Sequence, residues 1–126
     1  MIKSTLAVFG TGLMGAPLAI RLLDAGYKVV VWNRTPEKAE PLAQIGALRA
    51  ETAAQAVQSA DVLITWLADR VAIQEVLFPP ERSSLLEGKT ILQMGTIGPS
   101  HSRGIEDAAI AHGAQYLEAT VLGSIP

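Results

Sequence analysis

The run Leu6–Gly26, LAVFGTGLMGAPLAIRLLDAG, passes from four apolar residues through three spaced glycines into an amphipathic segment closed by a fourth glycine. Leu6–Phe9 predicts a short buried strand, Leu13–Ala25 a helix, and Gly26 its stop. The same alternation recurs along the chain. Lys28–Trp32 (KVVVW) is rich in β-branched residues and predicts a strand. Pro36–Ile45 predicts a helix with Thr35 as N-cap, Pro36 in its first turn and Gly46 as its end. Ala47–Ala50 follows as a weak strand, Thr52–Ser59 as a short helix and Asp61–Trp66 as a strand apolar on both faces. Arg70–Phe78 predicts a helix ended by Pro79 and Pro80, Thr90–Met94 a strand, Pro99–His112 a helix stopped by Gly113, and Gln115–Ala119 a last strand.

Strands alternating with helices imply a parallel sheet covered on both faces, with right-handed crossovers. The expected fold is therefore α/β, a doubly wound parallel sheet in the order 3-2-1-4-5-6, as one domain spanning residues 1–126. A chain of 126 residues with 49% apolar side chains can bury a core of its own. A net charge of −2 gives no reason to expect a nucleic acid or an anionic membrane as partner. With no cysteine, thiolate catalysis, disulfides and cysteine metal sites are excluded, and two distant histidines make no metal cluster. The N-terminal apolar run is too short for a signal peptide, which reads as a cytoplasmic protein.

What needs bare backbone at Gly10, Gly12 and Gly15? The G-x-G-x-x-G spacing is weak alone, but here it follows a strand and opens a helix inside a βαβ unit. In that setting Gly10 allows the tight turn, Gly12 lets a pyrophosphate approach the main chain, and Gly15 permits close helix packing. The first-turn amides, aided by the helix dipole, face the phosphates. The reading is a dinucleotide-binding fold of the Rossmann type. About twenty residues beyond the glycines a carboxylate would accept the ribose hydroxyls of NAD. This chain has Trp32-Asn33-Arg34-Thr35 there instead. With no carboxylate to repel a 2′-phosphate, and a guanidinium and hydroxyl to hold one, NADP is favoured, NAD remaining possible. The plainer alternative makes Arg34 a solvated loop residue and Thr35 a helix cap only.

The stretch from Phe9 to Ala47 resembles the start of the β-hydroxyacid dehydrogenases, the family of 3-hydroxyisobutyrate dehydrogenases, glyoxylate/succinic semialdehyde reductases and the NAD(P)-binding domain of 6-phosphogluconate dehydrogenase. ADVLITWLAD (Ala60–Asp69), MGTIGPSHSR (Met94–Arg103) and EATVLGS (Glu118–Ser124) resemble that family's later motifs in order, so the likeness covers the whole chain. The resemblance implies that Gly10, Thr11, Gly12, Leu13, Met14 and Gly15 wrap the pyrophosphate. It implies that Asn33, Arg34 and Thr35 hold the adenosine ribose and its phosphate, that Leu67 and Ala68 line the cofactor's path, and that Thr96 sits by the nicotinamide. Thr120, Leu122, Gly123 and Ser124 fall where the family binds substrate. Gly95 stands where the family's fifth-strand motif usually has serine, and two positions depart in the substrate-side motif: Thr120 replaces its usual proline and Leu122 its usual serine. Leucine donates no hydrogen bond to a substrate carboxylate. That departure makes an imine reductase relative a competing reading.

The resemblance also implies a small hydroxy acid, aldehyde or 2-oxo acid as substrate, and a proton-relay lysine in an all-helical domain after the dinucleotide fold. The expectation is that this domain, through which the family assembles homo-oligomers, is absent from the 126 residues. Lys3, Lys28 and Lys89 precede strands, on the wrong edge of the sheet for chemistry, and Lys38 lies toward the adenosine side. His101, at the start of a helix on the ligand edge, reads as a surface histidine, His112 as a helix-end residue facing the dipole, and Arg103 as a solvated or ion-paired residue. No catalytic residue is assigned. The expectation for the chain alone is NADP(H) binding with little turnover, which leaves a third reading open, a non-catalytic NADP-binding module.

Overall fold

A computed structural model describes residues 4–10, 15–66, 70–78, 85–94 and 99–118, with the side chains of 70–72 and 99–102 excepted. Six strands run as β1 (Thr5–Phe9), β2 (Lys28–Trp32), β3 (Leu48–Arg49), β4 (Val62–Thr65), β5 (Thr90–Gln93) and β6 (Gln115–Glu118). The helices between them are α1 (Gly15–Asp24), α2 (Glu40–Gln44), α3 (Ala53–Ser59), α4 (Arg70–Leu77) and α5 (Pro99–Ala111). All neighbouring strands pair in parallel, in the order β3-β2-β1-β4-β5-β6, as the strand–helix alternation predicts.

The period-2 geometry of the central strands divides the core in two. Ala7 and Phe9 of β1 point into one layer with Ala56 and Val57 of α3, Ile73 and Leu77 of α4, and Ile105 and Ala109 of α5. Leu6 and Val8 point the other way, against Ala19 of α1 and Leu42 of α2. Because helices cover both faces, β1 and β2 read as unbroken apolar runs rather than alternating ones.

The expected helix Pro36–Ile45 is in fact two pieces, a 3₁₀ turn over Pro36–Ala39 and then α2. Pro41 is the reason. It has no N–H to return to Glu37, so the Glu40 N–H closes on the Glu37 carbonyl and the segment tightens before α2 resumes. Thr35 also departs from expectation. It occupies the cap position with extended backbone, but its side chain makes no cap hydrogen bond. Its carbonyl instead accepts from Lys38 N–H at 3.0 Å. Thr52 does cap as its sequence suggests, its Oγ1 accepting from Gln55 N–H at 3.0 Å. The strand expected over Ala47–Ala50 shrinks to the two residues of β3, and that expected over Asp61–Trp66 to Val62–Thr65. In the second case the flanking residues keep ladder bonds, Asp61 N–H to Thr5 and Trp66 N–H to Phe9, so only the boundary moves.

Candidate functional site

The carboxyl ends of the four central strands finish level. Phe9 lies opposite Trp32 on one side and Thr65 on the other, and Thr65 lies opposite Gln93. The chain leaves β1 toward β2 and β3, then returns past β1 to start β4. That reversal between β1 and β4 is where ligands settle in open α/β sheets. Gly10 and Trp66 follow the two strands that flank it.

Both described glycines of the predicted loop occupy places that a side chain would fill. Gly10 has φ +97°, the left-handed region that favours glycine, and a Cβ there would meet the Trp66 carbonyl oxygen at 3.3 Å. At Gly15, the first residue of α1, a Cβ would lie 1.9 Å from the Gly10 carbonyl oxygen and 3.4 Å from Trp66 Cδ1. The close approach at Gly15 is thus to the turn beside it and to the β4 end. The turn is held by Gly10 N–H donating to the Trp32 carbonyl at 3.0 Å, which ties it to the end of β2. Thr11, Gly12, Leu13 and Met14 lie outside the described residues, as do Leu67, Ala68, Thr96, Thr120, Leu122, Gly123 and Ser124.

The β2 end carries the expected ribose-side segment. Asn33 is pinned by its side-chain amide, which donates to the Thr35 carbonyl at 3.0 Å and holds the turn that presents Arg34. Arg34 and Thr35 are exposed on this edge. The Arg34 guanidinium reaches α4, where its Nη2 lies 3.1 Å from Glu75 Oε2.

Three features of this edge were not read from the sequence. Trp66 is half-buried between the two glycines and the α1 layer, and its Nε1 is buried with no hydrogen-bond partner among the described residues. Thr65 and Gln93, both fully buried, hydrogen-bond through Thr65 Oγ1 and Gln93 Oε1 just beneath the edge. Glu75 is the third. A threonine ending DVLIT, or a glutamate mid-helix, carries no local signal, because these roles depend on which strands lie side by side.

Lys3 lies outside the described residues, and the other three lysines fall as expected. Lys28 opens β2, and Lys89, before β5, donates from Nζ to the Gln58 and Ala60 carbonyls at the end of α3, both at the opposite edge of the sheet. Lys38 is exposed in the 3₁₀ turn. His101 lies in the first turn of α5. His112 Nδ1 donates to the Ala108 carbonyl at 2.7 Å, and its ring packs on Phe78, so it serves the end of α5.

Residues 5–125 match the family of the NAD binding domain of 6-phosphogluconate dehydrogenase. The chain belongs to this family. The match bears out the resemblance read from the sequence and makes the chain a nicotinamide-dinucleotide-binding domain of the oxidoreductase kind. It is 34% identical over 117 residues to an NADPH-dependent reductive aminase of Aspergillus oryzae, covering 93% of this chain and 39% of that protein. It is 33% identical over 117 residues to glyoxylate/succinic semialdehyde reductase 1 of Arabidopsis thaliana, covering 91% and 40% respectively. Among solved structures, it superposes with a TM-score of 0.91 and 36% identity on an imine reductase from Myxococcus stipitatus in complex with NADP+, covering 95% of this chain and 42% of that one. The chain thus spans about two-fifths of the length of these two curated relatives.

The residues present fit a dinucleotide of this kind. Gly10 and Gly15 let the turn from β1 into α1 close tightly on itself and on Trp66, as a dinucleotide-binding turn requires, and the Trp66 Nε1 donor stands beside it.

Proposed function

We propose that the chain is the NADP(H)-binding domain of a reductase that transfers hydride to a small carbonyl or imine compound. The observation that carries the cofactor choice is the β2 end. Asn33, Arg34 and Thr35 stand there without a carboxylate in the segment itself, and Arg34 and Thr35 are exposed. A ribose 2′-phosphate meets a guanidinium there rather than the acid that reads an unphosphorylated ribose.

In this reading Gly10, Thr11, Gly12, Leu13, Met14 and Gly15 wrap the pyrophosphate, and Asn33, Arg34 and Thr35 hold the phosphorylated ribose. Leu67 and Ala68 border the path to the nicotinamide, and Thr96 flanks it. Thr120, Leu122, Gly123 and Ser124 border the substrate. The bound nicotinamide supplies the hydride; the protein supplies orientation and a proton. No described lysine stands on the ligand edge, so the 126 residues alone bind the dinucleotide and turn over little.

Small hydroxy acids and aldehydes are the first substrate class, by the family. Leu122, which cannot donate to a carboxylate, favours a second reading in which the acceptor is an imine. The likeness to a reductive aminase and an imine reductase supports it. Fluorescence titration of Arg34→Ala with NADPH and NADH tests the cofactor assignment. The expected result is at least tenfold weaker NADPH binding with NADH changed less than twofold; equal losses for both overturn it. Activity with succinic semialdehyde, glyoxylate and a cyclic imine, measured with a helical partner domain supplied in trans, then separates the substrate classes.

A further inference from the structure

The ion pair between Arg34 and Glu75 contributes little to holding the fold. Both side chains are exposed, 69% and 61%, and they join the turn after β2 to α4, the helix that connects β4 and β5. Solvated pairs of this kind add little to stability. Yet the pair lies at the place where Arg34 is needed. On α4, Ile73, Val76 and Leu77 are buried while Glu75 faces out toward the end of β2. The packing of α4 therefore aims an acid at the guanidinium from a different element than the one that carries it.

From this geometry we infer that Glu75 is a specificity-determining residue for the dinucleotide. Its carboxylate competes with the 2′-phosphate for Arg34 and sets how far the chain prefers NADPH over NADH. The inference rests on the assignment of Arg34 to the 2′-phosphate. Two effects act in the same direction. The guanidinium must give up its contact to Glu75 Oε2, or share its donors, before it can clasp a phosphate in fork geometry. Once the phosphate is seated, with a charge of about −1.5 to −2, a carboxylate remains within a few ångströms of it. Like charges at such distances repel, and salt weakens the repulsion between exposed groups. NADH presents a neutral ribose at this position and avoids both penalties. The acid that many NAD-binding chains carry at the end of β2 is thus replaced here by one delivered from α4, close enough to temper the preference for phosphate without abolishing it.

The experiment is titration of the 126-residue chain with NADPH and with NADH, comparing the parent with Glu75→Gln, Glu75→Lys and Arg34→Ala, at about 20 and 300 mM salt. Glu75→Gln is expected to tighten NADPH by roughly 3- to 10-fold at low salt, about 0.7–1.4 kcal/mol at 1.4 kcal/mol per decade. NADH should change less than twofold. Glu75→Lys is expected to tighten NADPH further, and both gains should shrink at high salt. Thermal unfolding of each variant verifies that it is folded. If Arg34→Ala costs NADPH selectively but Glu75→Gln leaves the NADPH to NADH ratio unchanged, or weakens NADPH, the role of Glu75 is overturned while that of Arg34 stands. If Arg34→Ala weakens both nucleotides equally, the assignment of Arg34 fails and this inference fails with it.

Discussion

Replacing Gly15 with alanine adds one methyl group against the carbonyl of Gly10, in the turn between β1 and α1. The new Cβ would lie 1.9 Å from the Gly10 carbonyl oxygen. Carbon and carbonyl oxygen come no closer than roughly 3.3 Å without strain, so the turn or the start of α1 must move by about 1.4 Å. The obstacle is backbone, not the end of a flexible side chain. Gly10 cannot easily yield, because its N–H is tied to the Trp32 carbonyl and Trp66 closes the other side. The cost belongs at the upper end of overpacking, about 2–3 kcal/mol, which for a domain of this size lowers Tm by about 10 °C. The same shift deforms the dinucleotide cradle, so NADPH binding should weaken at least tenfold. Gly104→Ala is the internal control. It makes the same chemical change in the exposed interior of α5, where a Cβ meets nothing within 4 Å. There alanine only improves helix propensity, by about 0.8–1 kcal/mol, and Tm should rise by about 3–4 °C. Differential scanning calorimetry of both variants, with nucleotide titration of each, reads the result. If Gly15→Ala melts within 2 °C of the parent and binds NADPH as before, the close approach at Gly15 does not constrain the turn.

Two further outcomes follow from described contacts. Thr52→Ala removes the side-chain cap of α3 and should cost about 1 kcal/mol in denaturant unfolding, whereas Thr35→Ala, which loses no cap hydrogen bond, should cost clearly less. Leu117, 57% exposed on β6, lies opposite Leu92 of β5 and extends the apolar surface of that sheet face. The chain is therefore expected to self-associate at high concentration, and Leu117→Lys should shift its sedimentation toward monomer.

The sheet order was legible in the sequence because the central strands are short apolar runs and several connections carry their own turn chemistry, with glycine after α1, α2 and α5 at Gly26, Gly46 and Gly113, each at positive φ. The glycine cradle was legible for the same reason, since Gly10 and Gly15 sit five residues apart across one β-to-α turn. The misread segment, Pro36–Ile45, shows the limit. Its apolar spacing is helical, but Pro41 removes one amide, and a single missing donor divides the helix. Thr35 shows another: cap identity is a propensity, and whether the hydroxyl reaches an amide is settled by the backbone around it.

The amino-acid sequence by itself determined the class of fold, the glycine-spaced turn between β1 and α1 and the absence of a carboxylate at Asn33-Arg34-Thr35, because each is a local pattern of residue type and spacing. The tertiary structure alone decided what meets across the sheet. Gly15 abuts the Trp66 side chain, Thr65 bonds Gln93 from 28 positions away, and Arg34 faces Glu75 from 41 positions away. Those pairings exist because β2 and β4 both flank β1 and β5 flanks β4. Strand order, which arises only when the whole chain packs, brings together side chains that no local stretch of residues relates.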